Sequence, residues 1–417
     1  MAENKLISSL NKFISKKMDD KASNFRVFET FGKVTEYISF GNYMLNAQIS
    51  GSLFGGLPNT RALELAGASG TGKTFLCLNL VHNMIDKGYH VYYIDTEGAL
   101  DEDLFANFGI DYETGVTHLR TINTFSGVIE FINVLVSGIR DARANANSED
   151  DVPKVAIILD SLGMLNTDAS LENAEKGKYA EDMGKRAKII REFFRTITLK
   201  ISNYAIPFVY TNHTSVNLDM FAIDKEVTAG GEGATYSAGM ILMLQKTNYM
   251  KDDAKTRTGI ILRSRPKKNR SVQPRDIEFH LSFVHGMNPY VGLEKYLSWD
   301  NCGVDPGIVL SAEEYNKKYS KKPPANSKGE ALRVESWKDK SGEWYAILNP
   351  NVKTLAIKDT HNTVNQSEVF TSNVFTEGTL RQLDENIIKP LFQYSSKSND
   401  TAEQIAEMIN DSIVEEK

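Results

Sequence analysis

The chain has 417 residues, 41% of them hydrophobic and 24% charged, enough for two or three domains and a large core of ordinary globular composition. Its net charge of −6 argues against indiscriminate nucleic-acid binding. Two cysteines, Cys77 and Cys302, make no disulfide framework and point to a reducing, cytoplasmic compartment, and no apolar run approaches the roughly 18 residues of a bilayer span.

At the N-terminus Leu6, Ile7, Leu10, Phe13 and Ile14 share one helical face among lysines. With no arginine there, and with Glu3, Asp19 and Asp20, this predicts a docking or packing helix rather than a transit peptide. Phe25 follows in the polar string Lys21-Ala22-Ser23-Asn24-Phe25, as a core residue or as an anchor for a partner's pocket. An apolar stretch through Met44 and Leu45 leads to the turn Gly55-Gly56-Leu57-Pro58-Asn59 and a short buried strand, Ala62-Leu63-Glu64-Leu65-Ala66.

Next comes Gly67-Ala68-Ser69-Gly70-Thr71-Gly72-Lys73-Thr74, a complete G-x-x-x-x-G-K-T. A helix over Phe75–Asp86, with Leu76, Leu80 and Met84 at helical spacing, follows it. Strand, glycine-rich turn and helix form the context of a phosphate-binding loop. Its backbone N–H groups, from Gly67 through Ser69, Gly70, Thr71 and Gly72, and the positive helix end face the phosphates. Lys73 then reaches the terminal phosphates and the Thr74 hydroxyl binds Mg²⁺. The chain is expected to bind a nucleoside triphosphate.

His90–Asp95 predicts a second strand and residues 125–143 a helix, with a polar loop from Asn145 to Pro153. Val155–Asp160 reads as a third strand without alternation, residues 181–202 as a long amphipathic helix, and Ile206–Tyr210 as the start of a fourth strand ending Thr211-Asn212-His213. Strands alternating with helices imply an α/β fold with a parallel central sheet. Asp160, at a strand's carboxyl end, fits a Mg²⁺ acid; Glu97, just past the second strand, fits a base for the attacking water or a merely solvated acid. His213 faces the same crevice, as a functional or a structural imidazole. Between Gln245 and Arg275 lie ten basic residues and two acids, Asp252 and Asp253. Lys321–Ser327 marks a boundary, and no internal repeat is visible.

The order of the phosphate loop, I-D-T-E-G-A-L-D (Ile94–Asp101), I-I-L-D-S (Ile157–Ser161), T-N-H (Thr211–His213) and Thr228-Ala229-Gly230-Gly231 resembles the RecA family of recombinases. It is most similar to the phage branch called UvsX, through the T-N-H string and the Tyr-Ser-Ala between Gly231 and Ala238. The resemblance covers roughly residues 35–305. It implies a polymerisation segment at 1–34, a RecA-like P-loop ATPase and DNA-binding core at 35–305 and a C-terminal region at 306–417.

The resemblance further implies that Lys73 and Thr74 hold ATP phosphates and Mg²⁺, that Asp160 is the metal acid, that Glu97 activates water and that Asp101 contacts adenine. His213 falls where the family senses the terminal phosphate. Two DNA loops correspond to about Asp168–Met183 and Ser215–Gly231, the second including Gly230 and Gly231, and Arg195 sits at a DNA-contacting position. Lys268-Asn269-Arg270, with Pro274 beyond it, resembles the string through which a neighbouring subunit reaches ATP. Leu104 replaces the family's adenine-stacking aromatic, with Phe283 of a neighbour as a substitute. The first loop carries Glu172, Glu175, Glu181 and Asp182, so Lys176, Lys178, Lys185 and Arg186 would have to hold DNA phosphates.

The expected function is an ATP-dependent recombinase that forms filaments on single-stranded DNA and pairs it with duplex DNA, aided by single-strand-binding and mediator proteins. A hexameric helicase on the same core, or a non-catalytic ATP-binding regulator, shares the phosphate loop, because fold does not decide function. If the chain is phage-encoded, its compartment is the host cytoplasm.

Overall fold

Runs such as Val155–Leu159 leave neither face to water, so each must lie between two layers of helices. A computed structural model of the chain arranges them that way. It describes residues 33–148, 151–177, 183–216, 226–228, 239–252, 255–293, 296, 308–320, 322–325, 329, 331–339, 342–348 and 375–394.

A small antiparallel pair, β1 (Tyr37–Ile38) with β2 (Leu57–Pro58), flanks helix α1 (Tyr43–Ser50). The main sheet then collects β3 (Ala62–Gly67), β4 (Tyr89–Asp95), β5 (Val116–Leu119), β6 (Lys154–Asp160), β7 (Phe208–Val216), β9 (Met240–Lys251), β10 (Arg257–Lys268), β11 (Ile277–Ser282) and β12 (Gly286–Met287). Their spatial order is β12-β11-β10-β9-β3-β7-β6-β4-β5, and β8 (Glu226–Thr228) pairs with β7. From β9 to β5 the neighbours are parallel, as the strand–helix alternation implies. Beyond β9 the sheet continues antiparallel through the long β9–β10 hairpin, an extension built from the basic segment.

Helices α2 (Lys73–Asp86), α3 (Glu102–Asn107), α4 (Phe125–Asn145), α5 (Asp168–Glu175) and α6 (Met183–Asn203) follow their strands. One face of the sheet packs Leu63, Leu65, Val91, Ile158 and Val209 with α2 residues Leu76, Leu80 and Met84. The other packs Ile157, Leu159, Phe208 and Tyr210 with Ile132 of α4 and Phe193, Phe194 and Ile197 of α6. Burial of such side chains contributes about 1.5–3 kcal/mol each, which fixes the sheet that carries the site.

The C-terminal part contains a three-stranded antiparallel sheet of β13 (Ile308–Ser311), β15 (Gly342–Leu348) and β14 (Arg333–Asp339), with α7 (Ala312–Tyr319) beside it. A further segment returns to the main core as α8 (Glu377–Leu383), a π-helical turn over Asp384–Ile388 and α9 (Lys389–Phe392). Phe375, Leu380, Leu383, Ile388, Leu391 and Phe392 join the same apolar cluster as α1. Buried Asp384 accepts hydrogen bonds from the Leu53 N–H (2.6 Å) and the Ser52 hydroxyl (2.8 Å), which ties α8 to the turn after α1.

Two expectations change. The fourth strand does not end at His213 but runs on to Val216 and pairs with β8, because backbone pairing continues past the last apolar residue. Much of the expected first DNA loop is helix α5, begun by an ordered turn in which Thr167 and Ser170 bond to each other's backbone. Met44 and Leu45 lie in a helix capped by Asn42, whose side chain accepts the Leu45 N–H at 3.0 Å. The N-terminal helix and Phe25, the string Gly230-Gly231, Lys178 and the last residues lie outside the described residues.

Candidate nucleotide-binding site

Parallel strands bring their carboxyl ends to one edge, and the register there puts Gly67 opposite His213 and Asp95 opposite Asp160. The phosphate loop connects β3 to α2 at this edge. Gly70 and Gly72 both hold φ +73, a left-handed conformation costly for other residues, and a Cβ on Gly72 would stand 2.6 Å from Leu281 Cδ1. This is why the motif fixes glycine at position 72, and why this chain also carries one at position 70, where the motif leaves the residue open. Lys73 Nζ donates to the carbonyls of Gly67 and Ala68, each at 2.9 Å. Burial pulls the Lys73 ammonium below its ordinary pKa, and the carboxylates of Asp160 and Glu97 oppose that pull.

Asp160 is a hub at the end of β6. One carboxylate oxygen accepts the Thr74 hydroxyl at 2.8 Å and the Tyr93 hydroxyl at 2.9 Å, and the other accepts the Thr211 hydroxyl. Burial, then the Asp160 charge, holds the Tyr93 phenol well above its usual range, so it stays a donor. The Asp160–Ser161 peptide is cis, and Ser161 exchanges two hydrogen bonds with Thr96.

Glu97, in the loop after β4, meets His213 of β7, with Glu97 Oε1 2.9 Å from His213 Nε2. Ser69, Gly70, Gly72, Lys73, Thr74, Glu97, Asp160 and His213 line one cavity. Every residue of that lining was singled out in the sequence. A hard cation prefers oxygen ligands and keeps water, and Thr74 with Asp160 offers such a place beside the phosphate loop. Among the described residues no cluster of three His, Cys, Asp or Glu side chains is poised for a metal.

The other expected residues lie apart from this cavity. Asp101 caps α3, accepting the Leu104 N–H at 2.8 Å. Lys268 closes β10 and Arg270 follows it, and neither lines the cavity. Phe283 is 61% exposed past β11, where its N–H donates to the Thr258 carbonyl. On α6, Lys185 is exposed and Arg195 pairs with Glu192 at 3.0 Å. The Arg186 guanidinium instead donates to the Gly163 carbonyl at 2.7 Å and lies over the Phe125 ring. Lys176 is exposed, 3.8 Å from Glu172.

Residues that sequence reasoning left without a role are Asp95, Tyr93, Thr96 and Thr211. Asp95 stood in the string containing Glu97, but nothing local showed that its carboxylate would turn inward. Glu64 is another: it is fully buried on β3, accepting the Tyr210 hydroxyl (3.1 Å) and an Asn212 amide N–H (2.9 Å).

A parallel sheet with a phosphate loop and two carboxylates, Asp160 and Glu97, at its carboxyl edge has the plan of a P-loop nucleoside triphosphatase. The RecA N-terminal domain family model matches residues 5–288, and the chain belongs to the RecA family. It is 26% identical over 365 residues to the recombination and repair protein of Enterobacteria phage T4, covering 86% of each chain. It is 25% identical over 291 residues to Protein RecA of Paenarthrobacter aurescens, covering 69% of this chain and 76% of that one. A further Protein RecA, of Chelativorans sp., is 27% identical over 280 residues, covering 66% of this chain and 69% of that one.

Proposed function

We propose that the chain is an ATP-dependent DNA recombinase that polymerises on single-stranded DNA and promotes homologous pairing and strand exchange. Membership of the RecA family carries the class, a DNA-dependent ATPase of recombination and repair. The observation that carries the chemistry is the meeting of Lys73, Thr74, Asp160, Glu97 and His213 at one cavity. Lys73 and the loop N–H groups would hold ATP phosphates, and Thr74 with Asp160 would hold Mg²⁺, which neutralises phosphate charge when bound. Glu97 would take the proton of the attacking water.

His213 stands on the strand that runs on into the second expected DNA loop, which supports a role in coupling nucleotide state to DNA grip. Lys268 and Arg270, set away from their own cavity, would complete a neighbour's site across the filament joint, with Phe283 against the base and Phe25 among the polymerisation contacts. Lys176, Lys178, Lys185, Arg186 and Arg195, with Gly230 and Gly231, are the proposed DNA-facing set, and Arg186 would have to leave Gly163 to reach a phosphate. Contacts of this kind are chiefly electrostatic, so binding would be salt-sensitive and weakly sequence-dependent. Double-stranded DNA is the pairing partner, and single-strand-binding and mediator proteins are expected helpers. Among the described residues no helix is long and apolar enough to cross a membrane.

Electron microscopy of the protein on single-stranded DNA with ATP and Mg²⁺ tests this reading. Open helical filaments are the expected result. Closed hexameric rings that unwind duplex with polarity would overturn it in favour of a helicase.

A further inference from the structure

The backbone that carries Glu97 has little packing of its own. Glu97, Gly98 and Ala99 are all exposed, and the next buried residue is Leu100. Its order comes from one carboxylate beneath it. Asp95 Oδ1 accepts the N–H groups of Glu97 (3.1 Å) and Gly98 (2.8 Å), and Asp95 Oδ2 accepts that of Leu100 (3.3 Å). The same Oδ2 lies 3.2 Å from Nε2 of His118, an imidazole on β5 whose side chain is 1% exposed.

The geometry fixes one proton of the imidazole. A carboxylate oxygen is an acceptor, so Nε2 carries the proton and donates to Asp95. On the other side of the ring Nδ1 pairs with the Tyr112 hydroxyl, 3.2 Å away, which can serve as donor or acceptor. Phe105 and Tyr93 close the ring in edge-on contacts at 5.4 Å and 6.2 Å between centroids. The bonds therefore converge on Asp95, which accepts from His118 on one side and from the loop N–H groups on the other. The Glu97 side chain is already engaged by His213.

We propose that His118 is a positioning residue for hydrolysis: with Tyr112 it orients the Asp95 carboxylate, and Asp95 holds the loop that aims Glu97 at the attacking water. The proposal rests on the reading of Glu97 as the group that activates water. A catalytic group displaced by about 1 Å can lose on the order of 100-fold in rate, so this clamp has leverage although it touches no substrate.

The test is single-strand-DNA-stimulated ATP turnover by the full-length protein and three variants, with thermal melting of each. His118→Phe keeps a flat ring but removes both nitrogens, and kcat is expected to fall about tenfold or more with KM for ATP within about twofold. His118→Gln places an amide donor near Nε2 and is expected to regain most of that loss. A role confined to stability would lower melting alike in both variants and leave kcat per folded molecule unchanged, and this result overturns the proposal. So does a raised KM at constant kcat. Should His118→Phe fail to fold, Tyr112→Phe removes a single hydroxyl from a half-buried ring. A severalfold loss of kcat at unchanged KM is then expected, and wild-type kcat overturns the proposal. Glu97→Gln separates the two ideas: full turnover in it sinks the water-activation reading. An inactive Glu97→Gln beside a fully active His118→Phe sinks only the positioning role.

Discussion

His213 Nε2 and Glu97 Oε1 stand 2.9 Å apart although 116 positions separate them in the chain. The pair joins the loop after β4 to the strand that leads toward the second expected DNA loop. It is partly open to water, with side-chain exposures of 41% and 31%, so a change at either partner need not disturb the core. His213→Ala is expected to keep the fold and ATP affinity while DNA-stimulated turnover drops toward the DNA-free rate. Glu97→Gln, which keeps size but removes the base, is expected to cut turnover by about 100-fold or more with ATP and DNA binding intact. The double variant should be no worse than Glu97→Gln alone, because residues that act as a unit are not additive. Steady-state rates with and without DNA check this, and strict additivity would show that the two side chains act separately.

Lys73 donates to two carbonyls of its own loop, a position from which an ammonium can turn to a phosphate oxygen. Lys73→Ala is expected to lower kcat by about 100- to 1,000-fold through loss of charge stabilisation in the transition state. ATPase assays on a variant of unchanged melting temperature decide it, and near-normal turnover would remove Lys73 from the mechanism.

Lys268 and Arg270 do not line the cavity of their own chain. If they serve a neighbour, a Lys268→Ala/Arg270→Ala double variant binds ATP as a monomer but loses DNA-stimulated turnover. Mixed with Glu97→Gln protein it should recover part of the rate, since some joints then combine one intact half from each. Absence of rescue at every mixing ratio, with co-assembly demonstrated, would place both groups within a single subunit.

Glu64 gives the chain a pH-dependent stability term. Burial raises its carboxyl pKa above the usual value, against the hydrogen bonds from Asn212 and Tyr210 and the charges of Lys267 and Lys268. The folded state therefore binds this proton more tightly than the unfolded chain does. The contribution is fully present below the unfolded pKa and is lost as pH rises through the folded one. Glu64→Gln removes this titration, so its melting temperature relative to wild type should climb as pH is raised above the ordinary carboxylate range. Melting curves taken from within that range upward test it, and a constant difference would mean that Glu64 is not titrating there.

What was legible in the amino-acid order is what a few neighbouring residues can build. The phosphate loop is one strand, one turn and one helix, and its glycines, Lys73 and Thr74 take their places from local backbone geometry. Asp160 was readable because a run of apolar residues ending in an acid puts that acid at a strand's carboxyl edge, and Glu97 because it stands in the loop just past such an edge. The parallel heart of the sheet followed from strand–helix alternation, since parallel neighbours need a crossover between them. Other features depended on which distant segments become neighbours. The β9–β10–β11 extension has no crossover, and the exposed Arg263 and Arg265 that alternate with buried residues along β10 made this stretch read as a basic segment. Helix α5 replaced an expected loop because its first turn is bonded through Thr167 and Ser170, a signal as weak in sequence as any polar turn. The return of α8 and α9 to the core needed a buried partner for Asp384 from the turn after α1, 331 positions away. Asp95 and His118 meet only because β4 and β5 lie side by side, with Tyr93 opposite His118 in register. Local hydrogen bonding and periodicity are written within about ten residues, whereas strand adjacency is decided by burial summed over the whole chain.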